Sequence, residues 1–154
     1  MMMNLCCNVI RALAGKSLVT AESCTGGGIG AALTAVPGSS KVYKGGIISY
    51  CNEIKANQLG VSVELLEREG AVSAPVAKSM AEGARRSLSA DIAISVTGLA
   101  GPDADEFGHP VGTVFIGYSD YAQTIVRQYR FSGDREAVRN QTITAALELI
   151  LERN

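Results

Sequence analysis

Three short segments end in residues that carry nucleophilic or proton-transfer chemistry. They are Glu22-Ser23-Cys24-Thr25-Gly26-Gly27, the stretch from Tyr50 to Lys55, and Thr97-Gly98. A serine hydroxyl attacks an acyl carbon only when a base takes its proton. His109 is the one histidine of the chain, beside Pro110 in a loop rich in Asp and Gly, so a Ser-His-Asp triad would have to rely on it. Lys55 offers a Ser-Lys alternative, because burial and neighbouring groups bring a lysine from about 10.4 toward ~7–8, where it accepts a proton. Taken singly, each has an ordinary reading as well: a solvated loop histidine and a solvated helix lysine. Cys24 is a rival nucleophile, since a thiol near a helix N-terminus has a depressed pKa; its plain role is a small buried residue.

The glycines after Ser23 would let backbone N–H groups face a phosphate or a developing oxyanion at a helix N-terminus. A tight strand-to-helix turn is the competing reading. The run lacks the GK[ST] ending of a P-loop, and Tyr50 stands where a dinucleotide fold wants an acid, which weakens ATPase and NAD readings. Asp103, Asp105, Glu106 and His109 have the chemistry to hold a hard cation, but four polar residues in a Gly/Pro loop also read as a solvated turn. No metal or other cofactor is expected. Arg127, Arg130, Arg135 and Arg139 are candidate anion clamps or surface ion-pair partners. Arg135 is notable because it opens a helix, where the dipole disfavours a cation.

The elements that must position these groups alternate. Residues 4–14 read as a helix, Leu18-Val19-Thr20-Ala21 as a strand, and Ile29, Ala32 and Leu33 as a helix that Pro37-Gly38 stops. Gly46 to Tyr50 reads as a second strand, followed by a helix capped by Asn52 and ending near Gly60, and then by one capped by Ser62 that runs to about Arg68. From Ala74 to Ser89, Ala77, Met80, Ala81, Ala84 and Leu88 make one apolar helical face. Asp91 to Thr97 is apolar on both faces, as in a central strand covered on both sides. Val111–Tyr118 and Ala122–Phe131 predict a hairpin through Ser119-Asp120-Tyr121, with the second strand polar enough for a sheet edge. The last helix spans about Asp134 to Glu152 and buries Ile143, Ala146, Leu147, Ile150 and Leu151, with Asp134 and Glu136 at its N-terminus. Helices interleaved with strands predict an α/β layering with an antiparallel component. If the first, second and third strands run parallel, their three carboxyl-end loops converge on one crevice.

The 154 residues fit one domain, and with 47% apolar and 19% charged residues the chain is too apolar to stay disordered. Its apolar runs are far shorter than the ~20 residues of a membrane-spanning helix, so no membrane association is expected. Fourteen Lys+Arg against fifteen Asp+Glu give a net charge of −1 and no basic field for nucleic acid. Four cysteines without CxxC spacing fit reduced thiols, and the absence of a basic n-region argues against a secretory signal; both point to the cytoplasm. An exposed sheet edge predicts a homo-oligomer, a symmetric dimer.

Six ordered segments resemble the CinA carboxy-terminal domain family: Thr20 to Gly27, Gly45 to Lys55, Gly70-Ala71-Val72-Ser73, Val96 to Pro102, Pro110-Val111-Gly112-Thr113-Val114 and Phe131-Ser132-Gly133-Asp134-Arg135. Together they run in order over nearly the whole chain. The resemblance is to the free-standing form, without the molybdopterin-binding-like domain of the fused proteins. Cys51 departs from it, standing where serine is common, and the three methionines at the start imply a short N-terminal helix. Stand-alone members are nicotinamide-nucleotide amidases, which convert nicotinamide mononucleotide to nicotinate mononucleotide and ammonia in pyridine-nucleotide salvage. The resemblance implies a three-layer α/β/α sandwich with a mixed, mostly parallel five-stranded sheet. It also implies Ser23 as nucleophile, Lys55 as base and Thr97 in the proton-transfer network. Tyr50 and Arg135, with Thr25, Gly26 and Gly27 of the turn, are the expected substrate-binding residues. The alternatives are a non-catalytic nucleotide-binding module and an amidase for another small amide.

Overall fold

Every residue from Leu18 to Glu22 is buried, and so is every residue from Ile92 to Thr97. Strands with both faces shielded from water must lie between two helical layers. In the computed structural model, which describes residues 1–154, the order is α1 (Met2–Ala12), β1 (Leu18–Glu22), α2 (Gly28–Thr34), β2 (Tyr43–Ile48), α3 (Asn52–Leu59), α4 (Val63–Glu69), α5 (Ala74–Ser87), β3 (Ile92–Gly98), β4 (Thr113–Ser119), β5 (Thr124–Arg130) and α6 (Arg135–Arg153). A 3₁₀ turn at Ser39–Lys41, which the sequence reading lacks, links α2 to β2.

The five strands form one sheet in the order β2-β1-β3-β4-β5. β1 pairs parallel with β2 and β3, while β4 is antiparallel to both β3 and β5, so four strands point one way and β4 the other. Side-chain alternation divides the core between two layers. Leu18, Ile92, Ile94 and Val96 pack with Val9, Ile29, Leu33, Leu147 and Ile150 of α1, α2 and α6. Val19, Ala21 and Ala93 pack with Leu59, Leu66, Val76 and Met80 of α3, α4 and α5. This is the three-layer α/β/α sandwich with a mixed sheet that the family resemblance implies.

Several boundaries move. Met2 and Met3 are helical and α1 stops at Ala12, so the methionines lengthen this helix instead of leaving it short. β2 lies earlier than Gly46–Tyr50: pairing with β1 begins at Leu18 opposite Tyr43, and Tyr50 is 60% exposed beyond the sheet. Asn52 does not cap α3; Cys51 holds that position with no side-chain cap. Ser62 does cap α4, and Asp134 caps α6, each through a side-chain oxygen that accepts a backbone N–H. The hairpin turn is longer than Ser119–Tyr121, because Asp120 Oδ1 accepts the N–H groups of Ala122 and Gln123. In α6, Ile143 and Leu151 are only partly buried, whereas Val138, Thr142 and Leu149 join the core.

Register is what this fold contributes to the site. Glu22 lies level with Ile48 on one side and Val96 on the other. Ser23, Ser49 and Thr97 therefore stand level at the carboxyl ends of three parallel strands, where open α/β sheets bind ligands. α3 then brings Lys55 over this edge, and its height is set by α5, because a Cβ at Gly83 would lie 1.8 Å from the Leu59 carbonyl oxygen. Gly83→Ala, which in an open helix would gain ~0.5–1 kcal/mol, should here cost about 1–3 kcal/mol by overpacking. The urea midpoint checks the sign.

Candidate active site

The turn after β1 carries Ser23, which is 8% exposed, and α3 carries Lys55, which is 1% exposed. Lys55 Nζ donates to Ser23 Oγ at 3.1 Å and to the Ser49 carbonyl at 2.7 Å. It belongs to no ion pair. Burial pulls the Lys55 ammonium below its ordinary value, and the sulfurs of Cys51 and Cys24 offset that pull only in part. A buried lysine without a carboxylate partner, in contact with a buried serine, has what a serine's general base requires: reach and a proton affinity lowered by lost hydration.

Ser23, Cys24, Tyr50, Lys55, Thr97 and Arg135 line one cavity of about 260 Å³. The three strand ends thus converge on one crevice. Arg135 Nη2 donates to Tyr50 Oη at 2.7 Å and its Nη1 to the Gly101 carbonyl at 2.8 Å. Protein groups hold this cation at the start of α6, across the mouth of the cavity. Thr97 Oγ1 donates to the Ala71 carbonyl at 2.8 Å, so its proton is committed to the wall and not to a Ser23–Lys55 network.

Other expected residues are not brought there. Thr25 is fully buried and donates to Glu22 Oε1 at 2.7 Å, and neither it nor Gly26 or Gly27 lines the cavity. The N–H groups of Gly26 and Gly28 are taken by the carbonyls of Ser23 and Thr25. The anion at the N-terminus of α2 is the protein's own: Glu22 accepts from Ile29 N at 2.8 Å and Gly30 N at 3.1 Å. A phosphate cradled by Gly26–Gly28 would meet that carboxylate. Sequence reasoning passed over Glu22, although an acid closing an apolar strand just before a glycine turn is a usable sign of a helix-terminus partner.

The rival chemistries fall away on geometry. His109 pairs through Nδ1 with Asp105 Oδ2 at 2.8 Å, in a loop that does not border Ser23, so no Ser-His-Asp triad forms. Asp105 Oδ1 meanwhile accepts the N–H groups of Phe107 and His109. Burial pushes the Cys24 thiol up to about 11, the opposite of an activated thiolate. Arg127 is ion-paired with Glu152 on the outer face, and Arg139 donates to the Cys24 and Thr25 carbonyls.

A three-layer fold with a buried serine-lysine pair at the carboxyl edge of its parallel strands defines the class of protein. The CinA C-terminal domain family model matches residues 4–153, and the chain belongs to that family. It is 46% identical over 135 residues to the nicotinamide-nucleotide amidohydrolase PncC of Pseudomonas putida, which covers 88% of this chain and 84% of that protein. It is 47% identical over 139 residues to a CinA-like protein of Geobacter sulfurreducens, covering 90% of this chain and 34% of that protein. The chain thus spans about a third of the length of the CinA-like relatives it matches. Crystal structures of CinA superfamily proteins from Klebsiella pneumoniae (38% identity, 99% of this chain and 97% of that one) and Escherichia coli (36%, 100% and 91%) superpose with TM-scores of 0.97 and 0.98.

Lys55 also makes stability depend on pH. Its folded-state value lies below the ~10.4 of an unfolded lysine, so between the two the unfolded chain binds the extra proton. Stability should rise with pH through that window, and the rise should be absent in Lys55→Met. Urea titrations of both proteins from neutral to alkaline pH read the difference.

Proposed function

We propose that this protein hydrolyses the carboxamide of nicotinamide mononucleotide to nicotinate mononucleotide and ammonia, with Ser23 as nucleophile and Lys55 as base. The observation that carries the reading is the buried Lys55–Ser23 contact at 3.1 Å without a carboxylate partner. The name of the P. putida relative, which this chain matches over most of that protein's length, supports the choice of substrate.

Ser23 Oγ attacks the carboxamide carbon while neutral Lys55 takes its proton, and the C=O electrons move onto oxygen. The N–H of Cys24, next to the nucleophile and without a backbone acceptor, is the nearest donor for that oxyanion. Lys55 returns the proton to the amide nitrogen as the C–N bond breaks, releasing ammonia and leaving an acyl-Ser23. Water then attacks the acyl carbon as Lys55 takes its proton, and Lys55 passes that proton to Ser23 Oγ as the acyl C–O bond breaks, which releases nicotinate mononucleotide and restores both residues. With its own proton held by Ala71, the Thr97 oxygen is an acceptor for the carboxamide N–H₂. Tyr50 lies against the cationic pyridinium ring. Arg135 has N–H groups to spare beyond its two protein bonds and receives the ribose phosphate. The reading places a salvage enzyme with reduced thiols in the cytoplasm.

Ammonia release and mass-resolved products from nicotinamide mononucleotide, compared between wild type and Ser23→Ala with and without a chelator, test the proposal. Turnover should survive chelation and fall by roughly 10⁴-fold or more in the variant. The kcat/KM profile should climb with pH as Lys55 loses its proton, with its midpoint below the ordinary lysine value. A folded wild type that binds the nucleotide without releasing ammonia would overturn the enzyme reading in favour of a binding module. Ammonia from glutamine or free nicotinamide, but none from the mononucleotide, would assign a different amide.

A further inference from the structure

Arg139 is not accounted for by the mechanism above. It reaches from α6 to the back of the nucleophile turn, where Nε donates to the Cys24 carbonyl and Nη2 to the Thr25 carbonyl, each at 3.1 Å. It is half-buried, pairs with no carboxylate, and does not line the cavity. α6 packs closely on this turn at Gly28, where a Cβ would lie 2.7 Å from Ile143 Cδ1.

Peptide planarity turns those two contacts into a constraint on the opposite side of the turn. In a trans peptide the C=O of one residue and the N–H of the next point in opposite directions. Holding the Cys24 carbonyl toward α6 therefore aims the Thr25 N–H away from α6. Holding the Thr25 carbonyl likewise aims the Gly26 N–H, which donates to the Ser23 carbonyl at 3.0 Å. That bond fixes the Ser23–Cys24 peptide and with it the direction of the Cys24 N–H. Cys24 lines the cavity, and the N–H groups of Cys24 and Thr25 have no backbone acceptor. The turn thus has its Cys24 and Thr25 carbonyls held by Arg139, and the Cys24 N–H is the donor without a backbone acceptor in a residue that lines the cavity.

Building on the Ser23–Lys55 reading, we propose that Arg139 is a positioning residue: through the Cys24 and Thr25 carbonyls it fixes the turn and with it the Cys24 N–H that receives the oxyanion formed at Ser23. Its cationic hydrogen bonds also polarise both peptides, which strengthens the Gly26 N–H bond to the Ser23 carbonyl that orients the Cys24 N–H. Glu22 fixes the far end of the same turn through Thr25, Ile29 and Gly30, so Arg139 works on a segment already anchored at one side.

The test compares wild type, Arg139→Ala, Arg139→Lys and, as a control on the outer face, Arg127→Ala. It uses two reactions and a thermal melt. The first is turnover of nicotinamide mononucleotide. The second needs no substrate recognition: an alkyl fluorophosphonate, in which Ser23 Oγ bonds to phosphorus, fluoride leaves and the serine proton passes to Lys55, with the site read by mass spectrometry. Arg139→Ala should lower kcat and the phosphonylation rate together, by about 10²-fold as expected for a misplaced reacting geometry, with KM near the wild-type value. Arg139→Lys should recover part of the loss, because an ammonium keeps one carbonyl where the guanidinium fork keeps two. Arg127→Ala should match wild type.

Folded Arg139→Ala that phosphonylates at the wild-type rate would overturn the proposal. If that variant does not fold, folded Arg139→Lys decides, and a wild-type rate there overturns it equally. Absence of Ser23 labelling in wild type would overturn it together with the Ser-Lys reading. Labelling of Ser23 without turnover of the mononucleotide would overturn the substrate alone, while the Arg139 effect on labelling still decides this inference.

Discussion

A lysine ammonium held out of water beside a serine hydroxyl is the constraint around which this molecule is arranged. Desolvation alone disfavours its charge, and a carboxylate within ion-pair distance would restore that charge. The structure satisfies Lys55 with a serine oxygen and a backbone carbonyl instead. Both are neutral acceptors that hold the nitrogen in place without stabilising the charged form as strongly as an acid would. Its depressed proton affinity and its contact with Ser23 thus have a common origin in where α3 sits over the sheet edge.

That placement depends on the rest of the fold in two ways. The parallel pairing of β1 with β2 and β3 puts the ends of three strands at one level, so Ser23, the Ser49 carbonyl and Thr97 arrive together. Close packing then sets the helices above them. Gly83 admits the end of α3, and Gly28 admits Ile143 of α6. Interiors packed at near-crystalline density transmit such contacts as fixed positions. The turn after β1 is held by opposite charges at its two ends, the Glu22 carboxylate on the N–H groups of α2 and the Arg139 guanidinium on the carbonyls of Cys24 and Thr25.

The groove of about 880 Å³ beside the site has a different character. It runs between α3, α4 and the 99–107 loop, with Leu66, Val72 and Phe107 along its walls and Glu53, Glu67, Asp105 and Glu106 at its edges. It shares Asn52, Ala71 and Val72 with the smaller cavity but is lined by no serine, lysine or arginine. The buried Ser23–Lys55 contact belongs to the smaller space, not to the larger groove.

Local pattern determined much of this protein. Apolar strands of the buried type, a helix-period face on Ala77, Met80, Ala81 and Ala84, and serine and aspartate caps are properties of neighbouring residues, and they yield the α/β layering directly. The order of six motifs identified the family and with it the sandwich, and it singled out a serine and a lysine that the fold brings into contact. Only the tertiary structure decided what each polar group does. Thr25 looks like a ligand hydroxyl in sequence but serves Glu22; Arg139 looks like an anion clamp but holds carbonyls; His109 finds an aspartate away from Ser23. The reason is physical: a side chain's type fixes which hydrogen bonds it can make, whereas its partner and its hydration, and hence its proton affinity, are fixed by residues distant in the chain that the fold brings within about 3 Å.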